Sequence, residues 1–506
     1  MVHGAFGDGT ARLCGVLAAP TARELRRLLG QALRETPTAE IRLDWLKSDT
    51  ERRAFLKWLK AHRPPKAQLI ATCRRRVGGG EFAGDADEEL YWLMQAREAG
   101  CAWCDLEMET LRELPGKSVD GYAVPEKVLL SMHDFRRTPV FPKKLTVPAT
   151  GGARAIKVAA MARSISDSAR ILQLARNSRD VVAIAMGEIG LPARVLALCE
   201  GSALAYAPVA TATAPGQIPL HDLKALYRAH ELTRATQVFG VIGNPVGHSL
   251  SPLLHNTGYI AARKDAVYLP FLVENLKDFL KALPEFGVRG FSVTLPHKEK
   301  IFAHLDAVEP LAEKIGAVNT VTVRKDGSLF GSNTDYVGVL RALEKKMKLR
   351  GSRVVIYGGG GSARAAAFAL AQAGAQVFVC ARRPKAAGKL AKAVGGEAIH
   401  RSALRRLEFD ALLNATPIGM FPQEKVSPLA ASELNCSLVM DLIYRPIRTK
   451  LLRIAASRKV ACVSGVEMFL AQGFAQWEQW MGTKAPESTM RNAVLRALKN
   501  EENTRW

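Results

Sequence analysis

Between Arg12 and His230 the chain repeats one pattern eight times, a short apolar run followed by a longer amphipathic stretch. The apolar runs fall at residues 13–17, 40–43, 68–72, 103–106, 127–132, 155–158, 181–186 and 204–207. Runs this short and this continuously apolar read as strands covered on both faces, which is the environment of a parallel sheet. Eight of them alternating with helices predict an α/β fold, a parallel (β/α)8 barrel. Leu220, Leu223, Leu226 and Tyr227 follow at helical spacing and predict a last helix for that unit. V-F-G-V-I-G from Val238 then opens a new strand, so the boundary is expected near residues 233–237. A second signature stands at R-V-V-I-Y-G-G-G-G-S-A-R, residues 353–364: strand, glycine turn, small-residue helix. The expected division is 1–235 for the barrel, 236–337 for a substrate domain, 338–464 for a Rossmann dinucleotide domain, and 465–506 for helices returning to the substrate domain.

Composition narrows the function classes. Hydrophobic residues make up 48% and charged residues 24% of the 506, the balance of a globular chain with full cores. No apolar run is long enough to cross a bilayer, and the first residues, M-V-H-G-A-F-G-D, carry no basic region followed by an apolar core, so a cytoplasmic protein without a membrane partner is expected. The eight cysteines are scattered. The Cys101/Cys104 pair has no second pair at zinc spacing, so reduced thiols and no metal are expected. A net charge of +23 favours anionic partners. The basic residues form no aromatic-interleaved stripe, which points to anionic small molecules rather than nucleic acid.

A barrel keeps its chemistry at the C-terminal ends of its strands. Polar residues fall there: Glu40, Arg42 and Asp44, then Arg74, Glu107, His133 and Lys157, and after the last two strands Arg194 and Gln217. Lys157 sits inside the apolar run A-I-K-V-A-A. Desolvation and nearby cations there would favour its neutral amine and make it a nucleophile toward a ketone. A structural ion pair with Glu107 or Asp44 is the competing expectation. His133, in S-M-H-D-F, reads either as a base or as a hydrogen-bonded core residue.

Taken in order, E-I-R-L-D, T-C-R, D-L-E, S-M-H-D-F, A-I-K-V-A, M-G-E-I-G-L-P-A-R and A-P-G-Q-I resemble type I 3-dehydroquinate dehydratase across this whole half. The resemblance implies an imine between Lys157 and the ring ketone, with His133 moving the proton and Glu107 orienting the imidazole. It implies that Glu40, Arg42 and Arg74 contact substrate or support the pocket, while Arg194, Thr213 and Gln217 hold its carboxylate. The chain departs from the family at Thr213, where Ser is common, and at R-R-V-G-G-G-E, which is less acidic than the usual lid.

In the second half, G-N-P-V-G-H-S-L-S-P presents Ser249 and Ser251 as a fork for a carboxylate or as a helix cap before Pro252. G-F-S-V-T-L-P-H-K places Lys298 at an expected helix start, where the helix dipole would lower its pKa. Asn319 lies on a strand, and Asn333 and Asp335 lie at a strand-to-helix turn. Gly358, Gly360 and Ala363 have dinucleotide-fold spacing, with Gly359, Gly361 and Ser362 completing the loop. Arg382 and Arg383 end the next strand where an NAD enzyme carries an acid, and this favours NADP(H). Thr416 and Gly465 lie at later turns, and the helix from Gly465 is expected to offer Gln472 from an otherwise apolar face.

This half resembles shikimate dehydrogenase nearly motif by motif. The resemblance implies that Ser249 and Ser251 bind the carboxylate, that Thr294, Asn319, Asp335, Tyr444 and Gln472 hold the ring, and that Lys298, coupled to Asp335, is the acid/base. The departure is A-R-R at residues 381–383 in place of N-R-T. A fused enzyme of the shikimate pathway is the expectation: 3-dehydroquinate dehydrated to 3-dehydroshikimate, then reduced to shikimate by NADPH. The alternatives are a quinate preference in the second half, a non-catalytic sensor, and a Schiff-base aldolase joined to a generic dehydrogenase. A sensor would not need Lys157, His133, Lys298 and Asp335 together, and the aldolase leaves His133 with Glu107 unexplained.

Overall fold

The computed structural model describes residues 6, 9–113, 127–148, 152–210 and 216–504. Eight parallel strands are laid down in the first half: β1 (Leu13–Leu17), β2 (Thr38–Arg42), β3 (Gln68–Thr72), β4 (Trp103–Glu107), β5 (Val128–Asp134), β6 (Ala153–Met161), β7 (Val181–Met186) and β8 (Ala205–Pro208). Their order, β7-β6-β5-β4-β3-β2-β1-β8, is that of a TIM-type barrel. At the seam between β7 and β8 the described residues form no ladder. The base is stapled there by Ala203 N–H to Val181 O at 2.8 Å and by Ala183 N–H to Ser202 Oγ at 3.0 Å.

The expected strands are all present, with β2 starting earlier and β5 and β6 running further than their apolar runs. The extensions pair His133 and Asp134 of β5 with Ala159 and Ala160 of β6, so the ladder continues into the mouth of the barrel. Phe6, Val16, Ile70, Trp103, Leu129 and Val182 fill the interior, and the Phe6 and Trp103 rings stack at 4.2 Å. The outer helices start on side-chain caps: Thr21, Ser48, Ser164, and Asp85 in a capping box with Glu88. The helix expected at 220–227 is shorter, a widened turn over Asp222–Leu226.

One compact unit comprises Met1–Gln237 with Leu269–Gly287, and the other comprises Val238–Tyr268 with Val288–Trp506. Within the first unit, the Asp278 carboxylate accepts from the Ile165 and Ser166 amides at 2.8 and 3.2 Å, at the positive end of the Ile165–Asn177 helix.

Two further sheets follow in the sequence. A mixed one has the order β10-β9-β11-β13-β14-β12: β9 (Gln237–Gly243), β10 (Ala266–Leu272), β11 (Val288–Val293), β12 (Ala307–Val308), β13 (Thr320–Val323) and β14 (Leu329–Ser332). The other is parallel: β15 (Arg353–Tyr357), β16 (Gln376–Cys380), β17 (Glu397–Ala398), β18 (Ala411–Asn414), β19 (Leu438–Asp441) and β20 (Ala461–Val463). Its order, β17-β16-β15-β18-β19-β20, is the doubly wound arrangement whose topological switch lies between β15 and β18. Among the described residues no helix is long and apolar enough to cross a membrane.

Candidate active sites

Alternate residues of a strand share a face. Asp105 and Glu107 of β4, Ser131 and His133 of β5, and Lys157 of β6 therefore point the same way, in a register that sets Glu107 beside Ser131 and Ser131 beside Lys157. His133 and Lys157 line a cavity together with Glu40, Arg42, Arg74, Phe135, Arg194, Tyr206 and Gln217, and Asp105, Glu107 and Ser131 are buried behind them, hydrogen-bonded to Lys157, His133 and Asp105 in turn. Thr213 lies outside the described residues.

Lys157 is 2% exposed. Its ammonium is hydrogen-bonded to Asp105 and lies 3.4 Å from Glu40 Oε1. The expectation of neighbouring cations is thus corrected: the groups that touch Lys157 are carboxylates, and they are neither Glu107 nor Asp44. Asp105 is the residue that sequence reasoning missed. Burial alone would raise its carboxyl, yet the Lys157 ammonium and then Arg74 hold it below the usual value. Ser131 Oγ donates to it as well. The D-L-E spacing held the signal, since whatever faces inward at Glu107 also faces inward two residues earlier.

His133 Nδ1 lies 2.9 Å from Glu107 Oε2, and Glu107 Oε1 accepts from Arg74 Nε at 2.6 Å. With the carboxylate as acceptor, Nδ1 carries the hydrogen and Nε2 is left as a base. Burial, then Arg74 and Lys157, push the His133 pKa well below its ordinary value, so the ring is neutral at neutral pH. Arg42 is clamped by Asp44 in a two-point pair at 2.9 and 2.7 Å. Arg194 donates to the Ala185 carbonyl at 2.7 Å, and burial brings its pKa down to about 10. A neutral imidazole held between a buried lysine and a carboxylate can take a proton from carbon beside a lysine-bound ketone.

In the second unit Lys298 Nζ donates to Asp335 Oδ2 at 2.5 Å, and Asn319 Nδ2 donates to Asp335 Oδ1 at 2.7 Å. Asp335 is the first residue of the Asp335–Glu344 helix, and the N-cap is Thr334, so the carboxylate meets Lys298. Lys298 stands ahead of a short turn, Lys300–His304, instead of opening the expected helix. Ser251 is buried at the start of the Ser251–Ala261 helix, where its amide donates to Ser249 Oγ at 3.2 Å, so the two serines form one turn. Thr294 follows β11, and its amide reaches Ile242 O at 3.0 Å. Tyr444 stacks on Phe469 at 4.8 Å, and Gln472 donates to Phe469 O at 2.8 Å. That helix face is less apolar than expected, because it also buries Gln476.

Gly358 has φ +144°, and a Cβ there would lie 2.8 Å from the Ala415 carbonyl oxygen. Gly359 and Gly360 lead into the Gly361–Gln372 helix, whose Ser362 is in its first turn and whose Ala363 is fully buried. Arg382 and Arg383 are exposed just past β16. Thr416 Oγ1 donates to Asn414 Oδ1 at 2.8 Å just past β18, and a Cβ on Gly465 would meet the Ile443 backbone at 2.5 Å. A bare helix N-terminus, a glycine cradle and two exposed guanidinium groups at the switch point fit a phosphorylated dinucleotide. Among the described residues no group of three or more His, Cys, Asp or Glu could hold a metal ion.

Three family models match the chain: type I 3-dehydroquinase over residues 13–234, the shikimate dehydrogenase substrate binding domain over 241–321, and the shikimate 5'-dehydrogenase C-terminal domain over 465–495. A chloroplastic bifunctional 3-dehydroquinate dehydratase/shikimate dehydrogenase of Arabidopsis thaliana is 35% identical over 474 residues, 88% of this chain and 78% of that protein. A shikimate dehydrogenase (NADP(+)) of Methanothermobacter thermautotrophicus is 39% identical over 285 residues, 53% of this chain and 100% of that protein. The crystal structure of shikimate 5-dehydrogenase from Thermus thermophilus with NADP(H) and shikimate is 38% identical, covers 52% of this chain and 100% of that one, and has a TM-score of 0.48.

Proposed function

The chain belongs to the family of bifunctional 3-dehydroquinate dehydratase/shikimate dehydrogenases, and from that premise we propose that its two sites carry consecutive steps, dehydration of 3-dehydroquinate and NADPH-dependent reduction of the 3-dehydroshikimate formed. The observation that carries the proposal is one cavity lined by both Lys157 and the Glu107-bound His133, together with the Lys298–Asp335 pair in the unit that holds the glycine cradle.

On the barrel, the Lys157 amine attacks the ring ketone and expels water, leaving an iminium that acidifies the neighbouring C–H bond. His133 Nε2 takes that proton and returns one to the departing hydroxyl, while Glu107, braced by Arg74, fixes the ring. Hydrolysis of the iminium releases the amine. Asp105 and Glu40 keep Lys157 in place between turnovers. Arg194 and Gln217, with Thr213, bind the substrate carboxylate, and Arg42 and Arg74 shape the pocket.

In the second half Ser249 and Ser251 bind the carboxylate, and Thr294, Asn319, Asp335, Tyr444 and Gln472 orient the ring. Lys298 delivers the proton to the carbonyl oxygen, and Asp335 holds its ammonium on target. NADPH supplies the hydride when bound. Gly358 to Ala363 would hold its pyrophosphate, Arg382 and Arg383 its 2′-phosphate, and Thr416 and Gly465 would complete the cofactor site. The division at residues 235, 337 and 464 fits the family matches over 13–234, 241–321 and 465–495. A cytoplasmic location suits eight unpaired cysteines. Purified chain given 3-dehydroquinate and NADPH should consume both and form shikimate; absence of any turnover would sink the proposal.

A further inference from the structure

We propose that Gln476, which touches neither proposed ligand, is a positioning residue for the reduction: it is the central link of a buried hydrogen-bond chain that holds Asn319 and Asp335 in one orientation. The proposal deepens the proposed function and rests on it.

The chain can be followed atom by atom. Tyr268 OH lies 2.5 Å from Ser292 Oγ, and Ser292 Oγ donates to Gln476 Oε1 at 2.9 Å. Gln476 Nε2 donates to Thr320 Oγ1 at 3.0 Å, and Thr320 Oγ1 donates to Asn319 Oδ1 at 2.8 Å. Asn319 Nδ2 then donates to Asp335 Oδ1, whose other oxygen holds Lys298. The direction is not arbitrary. The Thr334 amide can only donate, and it lies 2.7 Å from Asn319 Oδ1, so the amide oxygen of Asn319 is on that side and its nitrogen must face Asp335. Thr320 spends its one hydrogen on Asn319 and therefore accepts from Gln476. Ser292 spends its hydrogen on Gln476 and therefore accepts from Tyr268.

Every link is polarised toward the carboxylate, as in a cooperative network. Gln476 and Asn319 are the two side chains in it that both accept and donate without a hydroxyl to rotate, and of the two only Gln476 is separated from the Asp335 carboxylate by other links. It is 1% exposed, and Tyr268, Ser292 and Thr320 are buried with it, so no water is at hand to replace a lost link. His255 stacks on Tyr268 at 4.4 Å and is neutral, its pKa brought down by burial to about 3, so it adds no competing charge. With Gln476 gone, Thr320 and Ser292 are free to turn, the Thr320 hydroxyl is no longer held on the Asn319 amide oxygen, and the Asp335 carboxylate loses its preset angle to Lys298.

The test uses the full chain and two variants. Gln476→Met keeps the volume and removes the side chain's three hydrogen bonds. It should lower kcat for 3-dehydroshikimate reduction about tenfold, leave KM for NADPH within twofold, and leave the dehydratase rate unchanged. Gln476→Glu can imitate the amide only while protonated, so its kcat should fall as pH rises, along a limb that wild type lacks. A kcat for Gln476→Met within twofold of wild type overturns the proposal, as does a Gln476→Glu profile parallel to wild type. Should Gln476→Met fail to bind NADPH at all, the Gln476→Glu profile decides alone. Wild type without reductase turnover would instead overturn the proposed function.

Discussion

The two halves use a lysine beside an aspartate in opposite ways. Lys157 is 2% exposed and is gripped by two carboxylates inside a barrel where Arg74, Glu107, Arg42 and Asp44 are also buried and paired. The Lys298 side chain is 20% exposed and has one carboxylate, Asp335, which neutral amides set in place. In the proposed mechanism the lysine that forms a bond to substrate is kept out of water among balanced charges, and the lysine that passes a proton stays near water and is aimed by uncharged neighbours.

The sharpest break of that contrast is Lys157→Ala. It should cut dehydratase turnover about 10⁴-fold, abolish borohydride trapping of 3-dehydroquinate on the protein, and leave the reductase untouched. Persistent trapping would remove the imine assignment. Lys298→Ala should lower reductase kcat by about 10³-fold with little change in KM for NADPH, an effect of the size general acid/base groups supply. A loss confined to NADPH binding would make Lys298 a cofactor residue. Arg382→Ala should raise KM for NADPH roughly tenfold and leave NADH unaffected, because one charged hydrogen bond is lost. Equal effects on both would sever Arg382 from the 2′-phosphate.

The smallest effect is in pH. His133 must be neutral to act as base, and burial, Arg74 and Lys157 disfavour its cation, so the acid limb of dehydratase kcat/KM should lie below pH 6.5. Arg74→Met removes one of those cations and should move the limb upward by about one unit. A limb that stays put would remove Arg74 from the causes and leave burial and Lys157.

The barrel was legible because strands sheltered on both faces leave uninterrupted apolar runs, and the Rossmann unit because its glycines answer to one backbone geometry. Strand ends at the barrel mouth were less so, since His133 and Asp134 continue β5 in polar letters. Asp105 carries no motif signal of its own; only its two-residue offset from Glu107 on β4 places it on the inward face. Gln476 lies one helical turn past Gln472 and was masked by the apolar residues around it. That Leu269–Gly287 groups with the barrel unit has no local sequence signature, because it depends on contacts such as Asp278 with Ser166 that are more than a hundred positions apart.

The seam between β7 and β8 gives the barrel wall a mechanical grain. Stapled at its base and without a ladder above among the described residues, it is the one place where the cylinder can flex without breaking a row of strand hydrogen bonds. Ile184 and Met186 on one lip and Tyr206 on the other line the cavity. Compliance is therefore concentrated in the wall that faces Lys157, and hydrogen–deuterium exchange should record it as faster amide turnover in the upper halves of β7 and β8 than in β3 and β4.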